Sequence, residues 1–366
     1  MSEMLQRPHT VVKVLGLGGG GSNTVARMIE FGVQGVEFIA ANTDAQVLRT
    51  HPASRKVLLG PRTTGGRGAG GRPEIGYKAA EESRDELAAA LEGADMVFLT
   101  AGMGGGTGTG AIPVAAEIAR AQGAVTVSVV TTPFAFEGTR RSKHAVAGLT
   151  ALREHTDTLV VVPNERLLAV APRNLTLDAA FRLADEVLRR AIQGITDVIT
   201  QTGVINRDFN DIRRMMARGG GALISLGNGK GENRVQDALH AALHNPLLGD
   251  ISIGTATGVL ANFVGGEDLA LWEVVGAMEA LHQRLPESAD VVWGFNSNPN
   301  FADRVQVMLL ITGVGGLPVA GPRVAATAQA NAHSRDRQAV SAFGEEMNAN
   351  LDMPAFLRRR LHATAR

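Results

Sequence analysis

The amino-acid sequence predicts an α/β protein with a mostly parallel sheet, a long helix and a second α/β unit. Two observations lead to this prediction. Short apolar, β-branched runs alternate with segments of helical periodicity, and an unusually long amphipathic repeat begins at Thr176. Apolar strands that alternate with helices are typical of a parallel sheet covered on both faces. Ligands of such sheets bind beyond the carboxyl ends of the strands.

The first part of the chain, residues 1–175, alternates five strand candidates with helices. The helical segments each end on a glycine, which suits a left-handed helix cap, and they are "SNTVARMIEFG", "EESRDELAAALEG" and "AIPVAAEIARAQG". The strand candidates lie near Val11, Phe38, Val97, Val127 and Val161, in "TVVKVLGLG", "VEFIAAN", "ADMVFLTAG", "AVTVSVVTT" and "TLVVVPN". This pattern predicts one α/β domain.

The remainder divides into a long helix, a second α/β unit and a tail. Apolar residues recur every three or four positions over 176–203, which predicts one amphipathic helix of roughly 40 Å at about 1.5 Å per residue. The pattern of residues 204–314 predicts further helices and strands. The predicted strands lie in "GALISLG", "GTATGVLANFVGG", "DVVWGFNSN" and "RVQVMLLITG". Residues 315–350, rich in Ala, Gly, Pro, Arg and Gln, predict a disordered linker before the terminal segment 351–366.

Composition excludes several classes of protein. The 366 residues carry 36 basic and 36 acidic side chains, so no general basic field attracts nucleic acid or an anionic membrane. The sequence has no cysteine, which excludes disulfides and thiolate metal sites and fits a reducing cytosol. It has no signal-peptide pattern, and no apolar run approaches the ~20 residues of a membrane span. We therefore predict a cytoplasmic protein with no nucleic-acid partner and no membrane insertion.

Two glycine-rich turns, each between a strand and a helix, are the strongest local signal. They are "GLGGGGSN" at 16–23 and "GMGGGTGTG" at 102–110. Glycine costs about 0.5–1 kcal/mol relative to alanine inside a regular element, so such clusters indicate that something approaches the backbone closely. A helix that follows such a turn offers free N–H groups and a positive dipole end to a phosphate.

A nicotinamide-dinucleotide-binding oxidoreductase is one alternative. Gly16, Gly18 and Gly21 fit the G-x-G-x-x-G spacing, and Asp44 stands about where its acidic partner belongs, but the second turn is then unexplained. No glycine run is followed by Lys and Ser or Thr, so a Walker A loop is absent. Plain tight turns are the other alternative. A third glycine-rich segment, "TTGGRGAGGRPEIG" at 63–76, favours a nucleoside triphosphate.

Several motifs, in the correct order, resemble one family. The segment "GGGTGTG" at 104–110 is similar to the signature of the tubulin/FtsZ superfamily, and "EFIAANTDAQVL", "TTPFAFEGTRR", "VVPNERLL", "FRLADEVL" and "NRDFNDI" resemble bacterial FtsZ. The terminal "DMPAFLRRR" resembles the partner-binding peptide of that family. The resemblance implies a Rossmann-like GTP-binding domain over 1–175, a central helix over 176–203 and a C-terminal α/β domain over 204–314.

The resemblance implies a GTPase that polymerises head to tail into the bacterial division ring. Its ligands would be GTP or GDP with Mg²⁺, and K⁺ is a further candidate. The residues implied to hold the phosphates are Gly19, Gly20, Gly21, Asn23, Gly104, Gly105, Gly106, Thr107, Gly108 and Thr109, with Ala69, Gly70 and Gly71 over the γ-phosphate and Asn42 and Asp44 nearby.

The remaining nucleotide contacts implied by the resemblance are side chains. Glu137 and Arg141 would meet the ribose and phosphate side, and Phe181 would stack on the base. Asn164 and Asp185 would read the edge of the base. A carboxylate accepts from the N1–H and the amine of guanine, whereas adenine presents no such pair of donors, so Asp185 favours GTP over ATP.

A catalytic set and a docking peptide complete the implied sites. Asn206, Asp208 and Asp211 of one molecule would close over the GTP of the next. The tail would bind membrane-tethering and regulatory division proteins and so concentrate the protein at the division site. Its implied binding residues are Asp352, Pro354, Phe356, Leu357 and Arg358. No protein ligand for a metal is assigned.

Most of these residues also have a purely structural interpretation. Phe181 lies on the apolar stripe of the predicted helix and is consistent with a core residue. Asp185 is consistent with a surface ion pair, and Asp208 and Asp211 with helix caps. A superfamily member that binds GTP as a structural switch, without dividing cells, is a further functional alternative.

The sequence also contains two histidines with the spacing of a zinc pair and three departures from the family pattern. His240 and His244 lie four residues apart, but the glutamate of a metalloprotease is missing between them, so we interpret them as ordinary histidines. The third glycine segment has Arg72 before its proline where the family usually has asparagine. Arg207 and Asn210 replace residues that are usually apolar or small. These departures put the hydrolysis rate and the strength of the polymer in question.

Overall fold

The computed structural model of the protein describes residues 10–171, 174–200, 209–217, 221–248 and 253–314. Ten strands lie in these ranges: β1 (Val12–Leu17), β2 (Glu37–Asn42), β3 (Arg55–Leu58), β4 (Met96–Gly102), β5 (Val125–Thr132), β6 (Thr158–Pro163), β7 (Gly221–Lys230), β8 (Gly258–Gly265), β9 (Asp290–Ser297) and β10 (Arg304–Thr312). All ten join one sheet, in the order β3-β2-β1-β4-β5-β6-β7-β10-β8-β9.

Twelve α-helices accompany the strands in the same ranges. They are α1 (Gly18–Glu30), α2 (Ala45–Thr50), α3 (Pro61–Thr64), α4 (Pro73–Glu82), α5 (Arg84–Leu91), α6 (Thr107–Ala121), α7 (Thr139–His155), α8 (Asn164–Val170), α9 (Leu177–Thr200), α10 (Phe209–Ala217), α11 (Arg234–Leu243) and α12 (Leu271–His282). The glycines predicted to cap three of them, Gly32, Gly93 and Gly123, have φ angles of 68°, 74° and 83°.

The sheet is parallel from β3 to β7, which confirms the predicted mostly parallel sheet. The carboxyl ends of β1, β4, β5 and β6 therefore lie along one side, the carboxyl edge, and their first residues lie along the opposite side, the amino edge. Strand β10 runs antiparallel to β7 and β8, and β9 pairs parallel with β8. The pairs Leu159–Gly221 and Val160–Ala222 join β6 to β7, so the second unit continues the first sheet.

Helix α9 is the long helix predicted from the sequence. Its 24 residues span about 36 Å at 1.5 Å per residue. Leu183, Val187, Ala191 and Ile195 form its buried face and belong to a core that also includes residues of α1 and α10. The helix contacts β5 and β6 and also β8, β9 and β10, so it packs against both halves of the sheet.

Several elements differ from the sequence prediction, among them four near the first and third glycine-rich stretches. Strand β3 was not predicted, because four residues with two basic side chains at a sheet edge carry little apolar signal. Helix α2 was not predicted either, since its six residues are too few for periodicity. Helix α1 begins inside the glycine turn, at Gly18. Helix α4 begins at Pro73, inside the third glycine segment, where proline suits the first helical turn.

The predicted linker 315–350 and terminal peptide 351–366 lie outside the described residues. Within the described residues, no helix is both long and apolar enough to span a membrane.

Candidate nucleotide-binding site

The three glycine-rich stretches meet at the carboxyl edge of the sheet. We call them the first glycine turn (16–23), the second glycine turn (102–110) and the third glycine segment (63–76). They touch through backbone atoms, so several glycines leave no room for a side chain. A Cβ atom added to Gly21 would lie 2.2 Å from the Thr100 carbonyl oxygen, and one added to Gly110 would lie 2.0 Å from that of Pro73.

Other glycines of the same loops border open space. A Cβ atom added to Gly19, Gly70, Gly71 or Gly105 would have no neighbouring atom within 4 Å. Of these, Gly70 and Gly71 have positive φ angles of 61° and 71°. The backbone at these four positions is therefore accessible to a ligand. Gly19 lies in the first turn of α1 and Gly105 lies just before α6, so two helix N-termini are available to bind an anion there.

Some predicted nucleotide-binding residues hold these loops in place. Asp44 accepts from Gln46 N at 2.9 Å and so caps α2, and Asn42 Oδ1 accepts from Asp44 N at 3.3 Å. Thr109 Oγ1 accepts from Gly104 N at 2.8 Å inside the second glycine turn. These side chains lie beside the loops, and their polar atoms are used by the protein itself.

The hydroxyl groups of Thr107 and Thr43 link two of the loops. Their oxygens lie 2.6 Å apart, and Thr43 directly follows β2. Gly68 N donates to the Thr43 carbonyl at 3.0 Å, which brings in the third glycine segment. A single residue after β2 thus contacts both the second turn and the third segment.

Glu82 anchors the third glycine segment and was not recognised from the sequence. Its carboxylate accepts from Thr63 Oγ1 at 2.6 Å and from the backbone N–H groups of Arg62 and Thr63, both at 2.8 Å. These hydrogen bonds, led by that from the Thr63 hydroxyl, lower the pKa of Glu82 to about 2. The carboxylate thereby fixes α3, which leads into the segment.

Asp185 lies on α9 and faces α1, directly behind the first glycine turn. Its carboxylate accepts from Thr24 Oγ1 at 2.9 Å and pairs with Arg27 Nε at 2.9 Å. Burial raises the pKa of the Asp185 carboxyl, while Arg27 and Thr24 oppose that rise. The ion pair suggested as an alternative is thus present, although it is mostly buried, with the Asp185 side chain 13% exposed.

Phe181 lies four residues before Asp185 on α9, and Asn164 begins α8, directly after the carboxyl end of β6. The Phe181 ring is 39% exposed and contacts Phe134 edge to face, with 5.5 Å between ring centroids, so it is not a core residue. Asn164 is 4% exposed, and its Oδ1 atom has no hydrogen-bond partner among the described residues. A buried amide oxygen without a partner fits a site that a ligand donor completes.

Glu137 and Arg141 form an ion pair beside the second glycine turn. Glu137 Oε1 also accepts from Phe134 N at 2.9 Å, which closes the turn after β5. The Arg141 backbone packs on Gly104, where a Cβ atom would lie 2.8 Å from the Arg141 carbonyl oxygen. Both predicted residues therefore lie at the rim of the loops.

An apolar cavity of about 340 Å³ adjoins the Phe181 side of the site. Its lining residues are Phe136, Leu168, Ala171, Leu175, Thr176, Leu177 and Ala180. None of them carries a charge, and no glycine of the three loops lines it. The cavity therefore does not suit a phosphate.

Asp211 lies far from the glycine loops, in the first turn of α10. Arg213 Nη2 donates to the Gly123 carbonyl, two residues before β5, at 3.4 Å, and Thr158 Oγ1, at the start of β6, donates to the Met216 carbonyl at 2.9 Å. These bonds tie α10 to the amino edge. The eight residues of β5, roughly 25 Å at ~3.3 Å per residue, separate that edge from the glycine turns.

The carboxylate of Asp211 pairs with Arg214 at 3.0 Å, on the same helix. Asn206 and Asp208, predicted to act with it, lie outside the described residues. The structure thus brings the predicted nucleotide-binding residues together at the carboxyl edge and keeps Asp211 apart from them.

The two histidines spaced like a zinc pair stack on each other at the end of α11, where His240 lies in the last turn and His244 is the C-cap residue. Their ring centroids are 4.1 Å apart, and His244 Nδ1 lies 2.8 Å from the His240 carbonyl oxygen. In the part of the chain that the structure describes, no group of three or more His, Asp or Glu side chains is arranged to hold a metal.

Comparisons with known proteins identify the family. A model of the Tubulin/FtsZ family GTPase domain matches residues 11–172, and a model of the FtsZ family C-terminal domain matches residues 220–315. The cell division protein FtsZ 1 of Archaeoglobus fulgidus is 45% identical over 322 residues, which cover 87% of each chain.

Solved structures agree. An empty FtsZ dimer of M. jannaschii has a TM-score of 0.81 and 43% identity, over 88% of this chain and 97% of that one. A GTPγS-bound CetZ2 protofilament of Haloferax volcanii, at 21% identity and a TM-score of 0.71 over 84% of this chain and 94% of that one, shares the fold.

The A. fulgidus and M. jannaschii relatives are archaeal, so a bacterial source stays a prediction. The oxidoreductase alternative is not supported, because both family models and these relatives belong to the tubulin and FtsZ proteins. With two family models in the expected order and 45% identity over most of both chains, this chain belongs to the FtsZ family of GTP-hydrolysing, filament-forming proteins of cell division.

Proposed function

We propose that this chain binds GTP where the three glycine loops meet and hydrolyses it between two copies arranged head to tail. The observation that carries the proposal is the separation of two sets of groups. Accessible backbone lies at two helix N-termini on the carboxyl edge, and Asp211 lies on the amino edge. A site divided in this way is complete only when the amino edge of one copy meets the carboxyl edge of the next.

The phosphates bind to the accessible backbone of the loops in this proposal. Gly19 and Gly105 border open space at the starts of α1 and α6, where N–H groups and the helix dipole attract an anion. Gly70 and Gly71, equally open, cover the γ-phosphate. Magnesium binds mainly to the phosphate oxygens, since Mg²⁺ usually keeps waters and few protein ligands. K⁺ remains a further candidate.

The base binds between Phe181 and the polar pair Asn164 and Asp185. The half-exposed Phe181 ring has a free surface for stacking. The Asn164 Oδ1 atom lacks a protein donor. Asp185, which is paired with Arg27 and hydrogen-bonded to Thr24, accepts from the two donors that only guanine presents.

Replacing Asp185 with alanine should weaken GTP binding by roughly 1–3 kcal/mol, the range for hydrogen bonds to a charged group. Isothermal titration with GTP and ATP measures both affinities. Asp178→Ala is the matched control, because Asp178 lies on the same helix and pairs with Arg182 at 2.7 Å but is largely exposed. Unchanged GTP affinity together with equal ATP affinity would exclude the assignment.

Head-to-tail contact is heterologous, so it repeats into an open filament. Asn206, Asp208 and Asp211 of one copy then close over the nucleotide of its neighbour, and hydrolysis weakens the contact that completes the site. Leu271 and Trp272 at the start of α12 are 64% and 80% exposed, and a large exposed apolar pair supports burial by a second copy.

Sedimentation with GTP and with GDP tests the proposal as a whole. GTP should produce pelletable filaments and phosphate release above a threshold protein concentration, and GDP should not. The oxidoreductase alternative predicts that NAD binds at the same glycine turns, so NAD is added as a competitor of GTP. Displacement of GTP by NAD at similar concentrations, or phosphate release without assembly, would contradict the proposal.

The division into domains at 1–175, 176–203 and 204–314 remains a prediction, as does a cytoplasmic protein that gathers at the division site. We also retain the proposal that 315–350 is a tether and 351–366 a docking peptide, although both lie outside the described residues. Phe356 and Leu357 would anchor in a groove of a membrane-tethering or regulatory protein, and Arg358 would add electrostatic steering.

Deleting residues 351–366 should abolish recruitment to vesicles that carry the tethering partner and leave GTP hydrolysis largely intact. The apolar residues of this segment are too few to build a core, so the globular part should not depend on them. Co-sedimentation with the vesicles and phosphate release are the two measurements. Loss of hydrolysis on deletion would indicate that the segment packs on the globular part instead.

A further inference from the structure

Helix α2 connects the third glycine segment to the first glycine turn. At its beginning, Ala45 N donates to the Gly66 carbonyl at 3.0 Å, and Asp44 forms an isolated antiparallel bridge with Arg67. At its end stands His51, the C-cap residue. The helix has six residues, about 9 Å at 1.5 Å per residue, so its two ends can contact two different loops.

His51 is 7% exposed, and both of its ring nitrogens lie within hydrogen-bonding distance of backbone atoms. Ala53 N donates to Nδ1 at 3.0 Å, and Nε2 lies 2.8 Å from the Ser22 carbonyl oxygen. Because Nδ1 accepts from Ala53 N, the ring proton is on Nε2, which donates to the Ser22 carbonyl.

Ser22 is the residue that this hydrogen bond fixes. It lies in the first glycine turn, between Gly21 and Asn23, and is fully buried. Its own hydroxyl has no hydrogen-bond partner in the described part of the chain. The side chain of Ser22 therefore does not hold the turn, whereas the carbonyl bond from His51 attaches the turn to α2.

We propose that His51 is a positioning residue for GTP binding, which holds the first glycine turn in register with the third glycine segment through α2. The inference rests on the proposed function, because it takes the first glycine turn as the phosphate site. His51 touches no substrate. Loss of its Nε2–H donor should leave the backbone N–H groups of Gly19 and Gly20 poorly placed for the phosphates.

Two substitutions separate the two nitrogens of the ring. In His51→Gln the side-chain amide nitrogen can donate to Ser22 from near the Nε2 position, whereas His51→Asn offers an oxygen to Ala53 N but is too short to reach Ser22. We expect GTP to bind about tenfold more weakly to His51→Asn, as for one lost hydrogen bond to a buried carbonyl, and within about threefold of wild type to His51→Gln. The change should appear in KM, with kcat at saturating GTP unchanged.

Unfolding in urea separates positioning from packing. Both variants replace the ring with a smaller side chain, so a merely structural role predicts that GTP affinity falls in both, in step with the unfolding midpoint. That result, or wild-type GTP affinity in His51→Asn, would overturn the inference. Gly19→Ala is run in the same assay. If Gly19→Ala binds GTP normally, the proposed phosphate site is wrong. If Gly19→Ala binds GTP weakly but both His51 variants bind it normally, the phosphate site is supported and the positioning role of His51 is wrong.

A measurement on the unmodified protein tests the role of His51 even if the variants fail to fold. With ¹⁵N-labelled histidine, NMR should detect one ring with a slowly exchanging Nε2 proton, whose chemical shift changes on addition of GDP. The absence of any histidine with such a protected Nε2 proton would overturn the inference.

Discussion

Gly105→Ala should leave the protein folded and remove most of its GTP binding, whereas Gly110→Ala should strongly destabilise the fold. A Cβ atom at position 105 has no neighbour within 4 Å, and Gly105 has an ordinary φ angle, so alanine is tolerated by the fold. The added methyl group would instead occupy space that the phosphates need. At position 110 the Cβ atom would lie 2.0 Å from the Pro73 carbonyl oxygen and 2.5 Å from Tyr77 N.

The expected cost of Gly110→Ala is at the upper end of overpacking, about 3 kcal/mol or more, because the obstacle is the backbone of α4, which cannot turn aside. Urea unfolding and GTP titration of both variants measure the two effects. Gly276→Ala on α12 is the control, since its Cβ atom would meet only a flexible Gln236 side chain, at 3.5 Å. Normal GTP binding by Gly105→Ala, or wild-type stability of Gly110→Ala, would contradict this account of the glycines.

The sequence alone could not separate these two kinds of glycine. It predicted that something approaches the backbone at all of them. At Gly21 and Gly110 the backbone of another element of the chain, β4 or α4, lies against the glycine, whereas Gly19 and Gly105 border open space. Whether a glycine is packed against another element or borders open space depends on distances between segments that are far apart in sequence. A local sequence motif carries no information about these distances.

The fold was more predictable than the arrangement of its halves. Apolar runs and helical periodicity identified the strands β1, β2, β4, β5 and β6 and the helix α9, because each is long enough to show a period. The joining of both halves into one sheet was not predicted, since it depends on two residue pairs between β6 and β7.

Residues that act on backbone atoms escaped the sequence analysis for a physical reason. His51 binds a backbone N–H and a backbone carbonyl, and Glu82 binds two backbone N–H groups besides the Thr63 hydroxyl. Every residue has such backbone groups, so little in the sequence marks either role. Asp185 was predicted, but its partners Thr24 and Arg27 were not, because they lie about 160 positions away and come close only through the packing of α9 on α1.

Asp211→Ala should bind GTP normally and still assemble, while losing hydrolysis by about 10²- to 10⁴-fold, the usual effect of removing a general base. Asp211 is tied through α10 to the amino edge, a strand length from the glycine loops, so its loss cannot disturb the nucleotide of its own chain. Phosphate release and sedimentation of the same samples measure the two effects. Asp237→Ala is the control, because Asp237 is an exposed aspartate in the first turn of another helix, α11.

Mixing two defective variants tests whether the site is shared. Asp211→Ala supplies an intact nucleotide site, and Gly105→Ala supplies an intact Asp211, so a junction between them contains one complete site although neither chain does. The mixture should therefore hydrolyse GTP faster than the sum of its components. For the wild-type protein, the rate per molecule should fall below the assembly threshold, because dilution separates Asp211 of one copy from the nucleotide of the next. The shared site would be contradicted if the rate per molecule stayed constant on dilution and the mixture showed no recovery. Each chain would then complete its own site, without Asp211 of a neighbour.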